Sequence, residues 1–320
     1  MASTKEEILS LLEQAGQQGV SGQQLAQQLG VSRTAVWKAI ARLKEEGCQI
    51  EAAPNRGYRL CAKQPTYCAA NVQRLRRIEA PVKEYDAIDS TNTAAKEMAQ
   101  SGAPHGTAVF AHHQTAGMGR RGRSFFSPEG GLYLSVILRG LPGMESAALL
   151  TAAAAVAVCR AVQTVYDTHL LVKWVNDLYN AEYKKCGGIL TQAAVDLEGG
   201  GLEYAIVGVG LNVAPPPQGF PEELREIAGA ILTQPQPQRM SELTACLADE
   251  ISGISTWMND PAWLEEYRAR NFLPSREIWL ERSGKRTPAK ALRILDDARL
   301  LVETPQGQEM LSFEEVSVRL

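Results

Sequence analysis

The sequence lacks the cysteine and histidine patterns that mark disulfide-bonded or metal-stabilised proteins. Six cysteines are scattered among 320 residues without C-x-x-C spacing, and the four histidines follow no metal-ligand pattern. The N-terminus also shows no charged segment followed by an apolar core and a cleavage site, so no export signal is indicated. We therefore expect a cytoplasmic protein with reduced thiols and no metal ligands.

Strong charge of one sign and a membrane-spanning segment are missing as well. The net charge of -3 excludes bulk electrostatic attraction to nucleic acid or to an anionic membrane, although it permits a local basic patch. The one long apolar run, residues 147–166, is rich in alanine and contains Arg160, so we expect a buried helix and no membrane partner. With 45% hydrophobic and 22% charged residues, the chain is expected to form globular domains, about two or three by its length.

The first sixty residues have the pattern of a small helical unit. Apolar residues in the segment 8–12 indicate an amphipathic helix, and Ser21 and Ser32 stand where side chains cap the next two helices. The third helix carries apolar residues at helical spacing: Val36, Ile40 and Leu43. Helix, glycine-containing turn and helix are typical of a helix-turn-helix, and a turn at residues 54–57 predicts a two-stranded wing.

In such a unit the third helix enters the DNA major groove with its N-terminal residues at base edges. The residues predicted to contact DNA are Arg33, Thr34, Trp37 and Lys38 on this helix and Arg56 at the tip of the wing. Residues 1–60 carry seven basic and six acidic side chains, hence a net charge of +1. So little charge gives few phosphate contacts, and we expect operator binding to need a dimer with two half-sites. A winged helix used only for packing against protein is the alternative.

Residues 117–123 contain three glycines and three arginines, which gives a segment without apolar contacts of its own. The segment matches G-x-G-x-x-G, but a dinucleotide site requires a strand before this motif and a helix after it. Branched and aromatic residues at 132–138 predict a second strand instead, so the dinucleotide interpretation fails. We expect a mobile loop whose amides and guanidinium groups close over phosphates, with a solvated basic turn as the alternative.

Polar residues where a predicted strand ends indicate a second part of the site. The candidate strand at residues 85–89 ends in Ser90, Thr91 and Asn92, ahead of a helix. These residues suit a helix N-cap first of all, and they would also suit the carboxylate or carbonyl of a small ligand.

Two further segments combine apolar strands with polar or glycine residues. Residues 170–179 are expected to form a buried strand that gives way to Asn176 and Asp177, which are well placed for catalysis or simply form an Asn-Asp turn. In the later strand 204–212, Gly208 and Gly210 remove side chains from one face, which makes room for a flat ligand.

The pattern changes again near residue 270. Short strands separated by turns are predicted at residues 278–280, 289–295, 300–303 and 316–320. They suffice for a small β-barrel of about fifty residues. The sequence therefore predicts three domains, at residues 1–62, 66–268 and 269–320.

Together these segments resemble the bifunctional biotin protein ligase and biotin operon repressor family. Beside the N-terminal and C-terminal domains, four motifs stand in the family's order: Gly117-x-Gly-Arg-Arg-Gly-Arg123, Lys173-Trp-x-Asn-Asp177, Lys185-x-Gly-Gly-Ile189 and Gly208-x-Gly-x-Asn212. Each motif alone is weak, but the four together are specific. The implied fold class is α+β, with a winged helix-turn-helix, a mixed α/β catalytic domain of the class II synthetase-like biotin/lipoate ligase type, and a C-terminal SH3-like β-barrel.

The resemblance implies a two-step reaction that uses ATP, biotin and Mg²⁺. The carboxylate of biotin attacks the α-phosphate of ATP, which gives biotinyl-5'-AMP and pyrophosphate. A lysine of a biotin carboxyl carrier protein then takes the acyl group. The resemblance also implies repression of transcription at operator DNA by a homodimer that carries biotinyl-AMP.

The family's site residues carry over onto matching positions of this sequence. Those expected to bind biotin or the nucleotide are Ser90, Thr91, Asn92, Gln114, Gly117, Met118, Gly119, Arg120, Arg121, Arg123, Phe125, Asn176, Lys185, Gly188 and Asn212. Among them, Ser90, Thr91 and Gln114 match biotin contacts, Asn176 and Asn212 match adenylate contacts, and Phe125 replaces an aromatic that stacks on adenine.

Three residues are expected to be catalytic. Attack by one anion on another needs positive groups where charge accumulates, and each preorganised donor contributes roughly 10² to 10³ in rate. Arg120 and Lys185 would supply this charge, and Asp177 is the candidate to orient the carrier lysine or accept its proton. Because water destroys the adenylate, a loop that folds over it also protects the intermediate.

The sequence departs from the family's pattern at two positions. Met118 stands where the family commonly has Arg, and Val175 stands where it often has Pro. Neither change removes a chemical group from the expected site, but both bear on the order of the loop. Three other functions remain open: a ligase without an operator, a ligand-responsive transcription factor with a vestigial catalytic fold, and a lipoate ligase.

Overall fold

The computed structural model describes residues 4–45, 48–53, 57–62, 67–141, 144–195, 202–282, 284–312 and 317–319. The chain divides into two compact units, Met1–Arg74 and Leu75–Leu320. The finer division into three domains that the sequence indicated stays a prediction.

The first unit has the elements of a winged helix-turn-helix. Its helices are α1 (Thr4–Ala15), α2 (Gly22–Leu29) and α3 (Arg33–Glu45), followed by the antiparallel strands β1 (Gln49–Ala53) and β2 (Gly57–Ala62). Ser21 and Gln24 form a capping box at the start of α2, and Gly30, with φ 64°, ends that helix. Ser32 Oγ accepts a hydrogen bond from Ala35 N at 3.1 Å. The predicted caps are therefore confirmed, while the turn that carries Arg56 lies outside the described residues.

The core of this unit fixes which face of α3 is exposed. The buried side chains of α3 follow helical spacing: Val36, Ala39, Ile40 and Leu43. They pack with Ile8, Leu12 and Leu25 of the other two helices. Because these positions form one stripe, the opposite face of α3 is left to solvent.

The second unit begins after α4 (Ala69–Leu75), which spans the boundary between the units. Its first elements are β3 (Val82–Ile88), α5 (Thr91–Gln100), β4 (Ala108–Gln114), β5 (Leu132–Leu138), α6 (Met144–Tyr166), β6 (Leu171–Lys173), β7 (Asp177–Tyr179), β8 (Lys185–Val195) and β9 (Leu202–Leu211). Strands of this part form one sheet in the order β3-β4-β5-β9-β8-β7-β6, in which only β3 and β4 pair in parallel.

The remaining elements of the second unit are three helices and a smaller sheet. The helices are α7 (Met240–Ser252), α8 (Ile254–Trp257) and α9 (Ala262–Arg270). The strands are β10 (Glu277–Arg282), β11 (Lys285–Ile294), β12 (Leu300–Thr304), β13 (Gly307–Leu311) and β14 (Ser317–Arg319). They form an antiparallel sheet in the order β13-β12-β11-β10-β14, as expected for an SH3-like barrel.

The arrangement of β4 and β5 shows whether a helix or a strand follows the glycine-rich segment 117–123. These strands are antiparallel neighbours, and residues 115–131 connect them. The segment is therefore followed by a strand and not by a helix, so the exclusion of a dinucleotide motif is confirmed.

The apolar run in α6 belongs to the core. Among the described helices it alone contains a window long and apolar enough to cross a membrane, Leu149–Tyr166, and 78% of that window is buried inside the fold. Small alanine side chains let α6 approach β8 and β9 closely, which explains the composition that the sequence showed.

Several predicted extents were wrong. Residues 170–179 form two short strands, β6 and β7, because the turn 174–176 directs Asn176 toward Ile189, with Ile189 N donating to Asn176 O at 3.0 Å. The sequence also predicts a single helix over residues 241–258, but the structure divides it at Gly253, a residue type that weakens helix interiors.

Two other elements were assigned incorrectly. Between two proline-rich loops, residues 214–217 and 233–238, the sequence predicts a helix, but the structure has only the short 3₁₀ turn Glu222–Leu224. Strand β13 was missed because its polar residues, Gln308 and Glu309, hide the alternation that reveals a half-buried strand.

A buried ion pair ties the segment before β3 to α7. Arg76 Nε donates to Asp249 Oδ1 at 3.0 Å, and Arg76 Nη1 donates to Gly106 O at 2.7 Å. The two charged side chains are 0% and 3% exposed. Asp249 Oδ2 also accepts from Arg77 N at 2.6 Å, so the carboxylate is held on both oxygens.

We expect Asp249→Ala to lower the free energy of unfolding of the second unit by about 3–5 kcal/mol, because Arg76 would remain buried without its counter-charge. Glu242→Ala in the same helix is the control, since its pair with Arg239 is exposed and should contribute about 1 kcal/mol or less. Urea titration of the three proteins measures both losses. If both variants lose the same small amount of free energy of unfolding, the buried pair does not stabilise the second unit as described here.

Candidate functional site

A cavity of about 1160 Å³ lies in the second unit. Its wall includes residues 117–121 and 123–128, the start of α5, the turn 174–177 and the first residues of β8. Five basic side chains line it, against three carboxylates, so it favours an anionic ligand. Its volume slightly exceeds the roughly 300–1,000 Å³ of common small-molecule pockets, which suits a ligand made of two joined parts.

Residues 117–125 form a hairpin along one side of this cavity. Phe125 N donates to Gly117 O at 2.8 Å, and Gly119 N donates to Arg123 O at 2.6 Å. A Cβ atom on Gly117 would lie 2.5 Å from Ser127 Oγ and 2.6 Å from Phe125 O, so only glycine fits at the base. The segment expected to be a phosphate-binding loop is thus an ordered hairpin in this structure, with three arginines at or beside its tip.

Arg120 connects the hairpin to the opposite wall. Its Nη1 donates to Asn176 Oδ1 at 3.0 Å, while Asn176 Nδ2 donates to Ile189 O at 2.8 Å. Burial lowers the pKa of Arg120; Asp177 opposes this shift, and Arg121 adds to it. A guanidinium nevertheless keeps its charge near neutral pH, so Arg120 brings a partly desolvated cation into the cavity.

Lys185 and Asp177 form an ion pair in the cavity. Lys185 Nζ lies 2.6 Å from Asp177 Oδ1, and both side chains are about one-third exposed. The antiparallel pairing of β7 and β8 brings the two residues together, since Asp177 pairs with Gly188. The carboxylate therefore fixes the position of the lysine cation, a relation that the sequence motifs did not indicate.

A polar wall surrounds the start of α5. Gln114 Oε1 accepts from Thr91 N at 2.9 Å and from Thr91 Oγ1 at 3.1 Å, while Gln114 Nε2 donates to Ser127 Oγ at 3.0 Å. Ser90 occupies the N-cap position, but its side chain makes no capping hydrogen bond. The prediction that this polar cluster caps the helix through its N-cap side chain is therefore wrong. The first amide of the helix, Thr91 N, donates instead to Gln114 of β4.

Side chains of other elements pack directly against Gly208 and Gly210 on one face of the sheet. A Cβ on Gly208 would lie 2.0 Å from Asn92 Oδ1, and a Cβ on Gly210 would lie 2.6 Å from Phe125 Cε1. The glycines do clear space on one face, as the sequence indicated, but in this structure that space holds two of the protein's own side chains.

Asn212 anchors the loop that follows β9. Its Nδ2 donates to Gly229 O at 3.0 Å, and its backbone N donates to Cys186 O at 2.8 Å. The loop in turn places Phe220, Leu224 and Ile227 along the cavity.

The cavity brings together every residue that the sequence predicted for ligand binding or catalysis. Their individual roles stay predictions. Sequence reasoning did not name two polar residues, Ser127 in the cavity wall and Ser135 behind it. Ser135 Oγ lies behind the cavity wall, 2.8 Å from Thr91 Oγ1 and 2.6 Å from Asn92 Oδ1. It is the one polar residue in the buried strand β5, and that isolation was the available signal.

The first unit presents the predicted DNA-contacting residues on one face. Arg33, Thr34, Trp37 and Lys38 are all exposed, and Trp37 is 62% exposed. Residues 16–44 contain four basic side chains and no acidic one, so charge is segregated toward α2 and α3 although the unit is nearly neutral. Arg56, the fifth predicted contact, lies outside the described residues.

One group of potential metal ligands lies apart from the cavity. Ligand atoms of Glu84, Asp86 and His112 fall within 4.8 Å of one another on β3 and β4. Glu84 Oε1 and His112 Nε2 lie within hydrogen-bond distance at 2.9 Å, which accounts for their proximity. We assign no metal to this group.

Comparisons with known proteins agree with this architecture. A model of the biotin/lipoate A/B protein ligase family matches residues 85–212, and an HTH domain model matches residues 4–59. The chain is 34% identical to the bifunctional ligase/repressor BirA of Bacillus subtilis, with 96% of each protein covered. It is also 34% identical to the Escherichia coli BirA, over 61% of this chain and 59% of that protein. The biotin protein ligase from Aquifex aeolicus in complex with biotin and ATP superposes with a TM-score of 0.62 at 23% identity, over 75% of this chain and 98% of that chain, which shows the fold alone.

The contact between Gly210 and Phe125 gives a test of how the hairpin is held. Gly210→Ala would push the Phe125 ring and the hairpin outward, so we expect trypsin to cleave after Arg120, Arg121 or Arg123 about fivefold faster or more. Gly188→Ala is the matched control, because Gly188 pairs with Gly210 and a Cβ there meets its nearest atoms at an ordinary 3.8 Å. Mass spectrometry of the fragments measures both rates. Cleavage of Gly210→Ala at the wild-type rate would contradict the packing of Phe125 described here.

Proposed function

This chain belongs to the family of the bifunctional biotin ligase/repressor proteins, and from that premise we propose that it attaches biotin to a lysine of a biotin carboxyl carrier protein and represses transcription through its N-terminal helix-turn-helix. The observation that carries the enzymatic part is the cavity in which Arg120 and the ion pair of Lys185 and Asp177 meet. These groups suit a reaction between two anions.

In the first step, the carboxylate of biotin attacks the α-phosphate of ATP. The new bond joins a carboxylate oxygen to phosphorus, and the bond to the leaving pyrophosphate breaks. Lys185 neutralises the reacting carboxylate, and Asp177 holds the lysine cation in position. Arg120 stabilises the charge that accumulates on the phosphate, and its approach from the hairpin covers the adenylate against water.

In the second step, the amine of the carrier lysine attacks the acyl carbon of biotinyl-5'-AMP, and AMP leaves. The attacking nitrogen must release a proton, and Asp177 is the carboxylate that we assign to orient or accept it. Because Asp177 also contacts Lys185, transfer of that proton would weaken the ion pair as AMP departs.

The polar wall near α5 favours biotin over lipoate. Amide and hydroxyl groups of Thr91, Asn92 and Gln114 lie at one end of the cavity, and they suit the ureido group of biotin. A lipoyl ring offers no such hydrogen bonds, so a lipoate ligase would leave these groups without ligand partners. Phe125 and Asn176 are assigned to the adenine nucleotide. Mg²⁺ is expected to arrive with the nucleotide.

The exposed face of α3 supports the repressor part. Its basic residues and Trp37 face solvent on the helix that enters the major groove in this fold. We propose that the protein acts as a homodimer carrying biotinyl-AMP, since a palindromic site then receives two copies of α3 and twice the phosphate contacts. The reaction is expected to take place in the cytoplasm.

Incubation of the purified protein with ATP, Mg²⁺ and biotin tests the ligase. We expect mass spectrometry to find biotinyl-AMP bound to the protein and, after addition of a carrier protein, biotin on a carrier lysine. Replacement of biotin by lipoate should give no adenylate. A lipoyl-adenylate with no biotinyl-adenylate would overturn the choice of substrate.

Lys185→Ala should reduce adenylate formation by at least about 100-fold, since the cation at the reacting carboxylate is lost. Lys184→Ala is the matched control, because the neighbouring Lys184 pairs with Glu226 and does not line the cavity. Pyrophosphate release gives the rate of both variants. Activity of Lys185→Ala within a few fold of wild type would remove Lys185 from the mechanism.

Arg120→Gly should release biotinyl-AMP earlier than wild type, because the hairpin loses its hydrogen bond to Asn176. Free adenylate then biotinylates exposed lysines of unrelated proteins, and we expect labelling of added serum albumin to rise about tenfold or more. Arg225→Ala, an exposed arginine outside the cavity, is the control. Unchanged dissociation of the adenylate would show that the hairpin is not a lid.

Two substitutions on α3 separate charge from sequence recognition. Lys38→Ala should weaken binding to all duplex DNA and reduce the salt dependence, the slope of log K against log salt, by about 1 per monomer. Trp37→Ala should weaken binding mainly to duplexes selected by the adenylate-bound protein from a random library. Lys96→Ala, which removes the same charge from the second unit, is the control for both. Failure of the wild-type protein to select any duplex would indicate a ligase without an operator.

A further inference from the structure

Hydrogen bonds with three residues of the C-terminal part of the chain hold the turn at residues 174–176. Phe272 N donates to Val172 O at 3.1 Å, just before the turn. Within the turn, Trp174 Nε1 donates to Ala298 O at 2.8 Å, and Tyr267 Oη donates to Val175 O at 3.1 Å. Both Trp174 and Val175 are buried, so this attachment lies inside the protein.

The same turn presents Asn176 to the cavity. Its Oδ1 accepts from Arg120 at the tip of the hairpin, while its Nδ2 and its backbone oxygen both bond to Ile189 of β8. Asn176 is therefore the point where the hairpin meets the sheet. Its position depends on the carbonyl that precedes it, that of Val175, because the two residues share a peptide plane.

Tyr267 is well suited to donate a hydrogen bond to the carbonyl of Val175. It lies on α9 and is fully buried, and burial raises the pKa of its hydroxyl, which stays protonated and available as a donor. The hydroxyl does not line the cavity, so Tyr267 is remote from ligand contacts.

We propose that Tyr267 is a positioning residue that keeps Asn176 where it receives Arg120, and that it thereby sets how long the hairpin stays closed over the adenylate. This inference rests on the proposed function for the identity of the ligand. It does not rest on it for the contact between Arg120 of the hairpin and Asn176, which the structure shows directly.

Tyr267→Phe tests the role of the hydroxyl, because the ring that fills the core is retained. We expect biotinyl-AMP to dissociate about fivefold faster, the effect of one lost buried hydrogen bond, in a chase with unlabelled biotin and ATP. In the ligand-free protein, tryptic cleavage after Arg121 and Arg123 should accelerate similarly. Tyr166→Phe is the control, since the Tyr166 hydroxyl contacts Met240 Sδ at 3.8 Å and lies outside the cavity wall.

The decisive comparison is the double variant with Arg120→Gly. If Tyr267 acts through the contact of Asn176 with Arg120, then Tyr267→Phe adds nothing to either rate once Arg120 is gone. A hydroxyl that merely stabilises the fold would accelerate both rates by the same factor in either background, and that result would overturn the proposal. Wild-type rates in the single variant would overturn it as well.

The two readouts separate this proposal from the assignment of the ligase. Should the wild-type protein form no biotinyl-AMP, the proposed function fails, while the tryptic comparison in the four proteins still tests Tyr267. Should the adenylate form and only the Tyr267→Phe effects be absent, the ligase assignment stands and the positioning role fails.

Discussion

Apart from Phe125, which packs over Gly210, the hairpin 117–125 has little apolar surface to bury, so polar contacts hold much of it against the cavity. At its base, Gln114 and Ser127 bond to each other and to the surrounding backbone, and at its tip Arg120 reaches Asn176. Each such bond contributes only about 1 kcal/mol net. A closure built from so few bonds opens readily, and this suits a site that must admit two substrates and then exclude water.

The rest of the second unit provides rigid supports for these bonds. The sheet brings β8 and β9 alongside β7, which sets Lys185 against Asp177, and the buried pair of Arg76 and Asp249 fixes the chain entering the sheet. The small C-terminal sheet reaches the cavity indirectly, through Ala298 and Trp174. The hairpin is thus supported by a scaffold that apolar packing and buried charge stabilise.

Much of the fold could be predicted from the sequence where a feature depends only on residues adjacent in the chain. Ser21 and Gly30 mark the ends of α2 because capping and left-handed geometry depend on adjacent residues alone. The four motifs identified the cavity residues, but the pairing of Lys185 with Asp177 depends on strand register, which spacing does not reveal. The net charge of residues 1–60 is only part of the charge pattern, since residues 16–44 carry four basic side chains and no acidic one.

The burial of Cys186 has a chemical consequence for the residue beside it. Cys186 follows Lys185 directly, is 0% exposed, and has its pKa raised to about 12 by burial. A thiolate next to an activated acyl group would capture it as a thioester and inactivate the protein at each turnover. Because Cys186 is buried as a neutral thiol, it is kept from this self-acylation and from alkylating reagents.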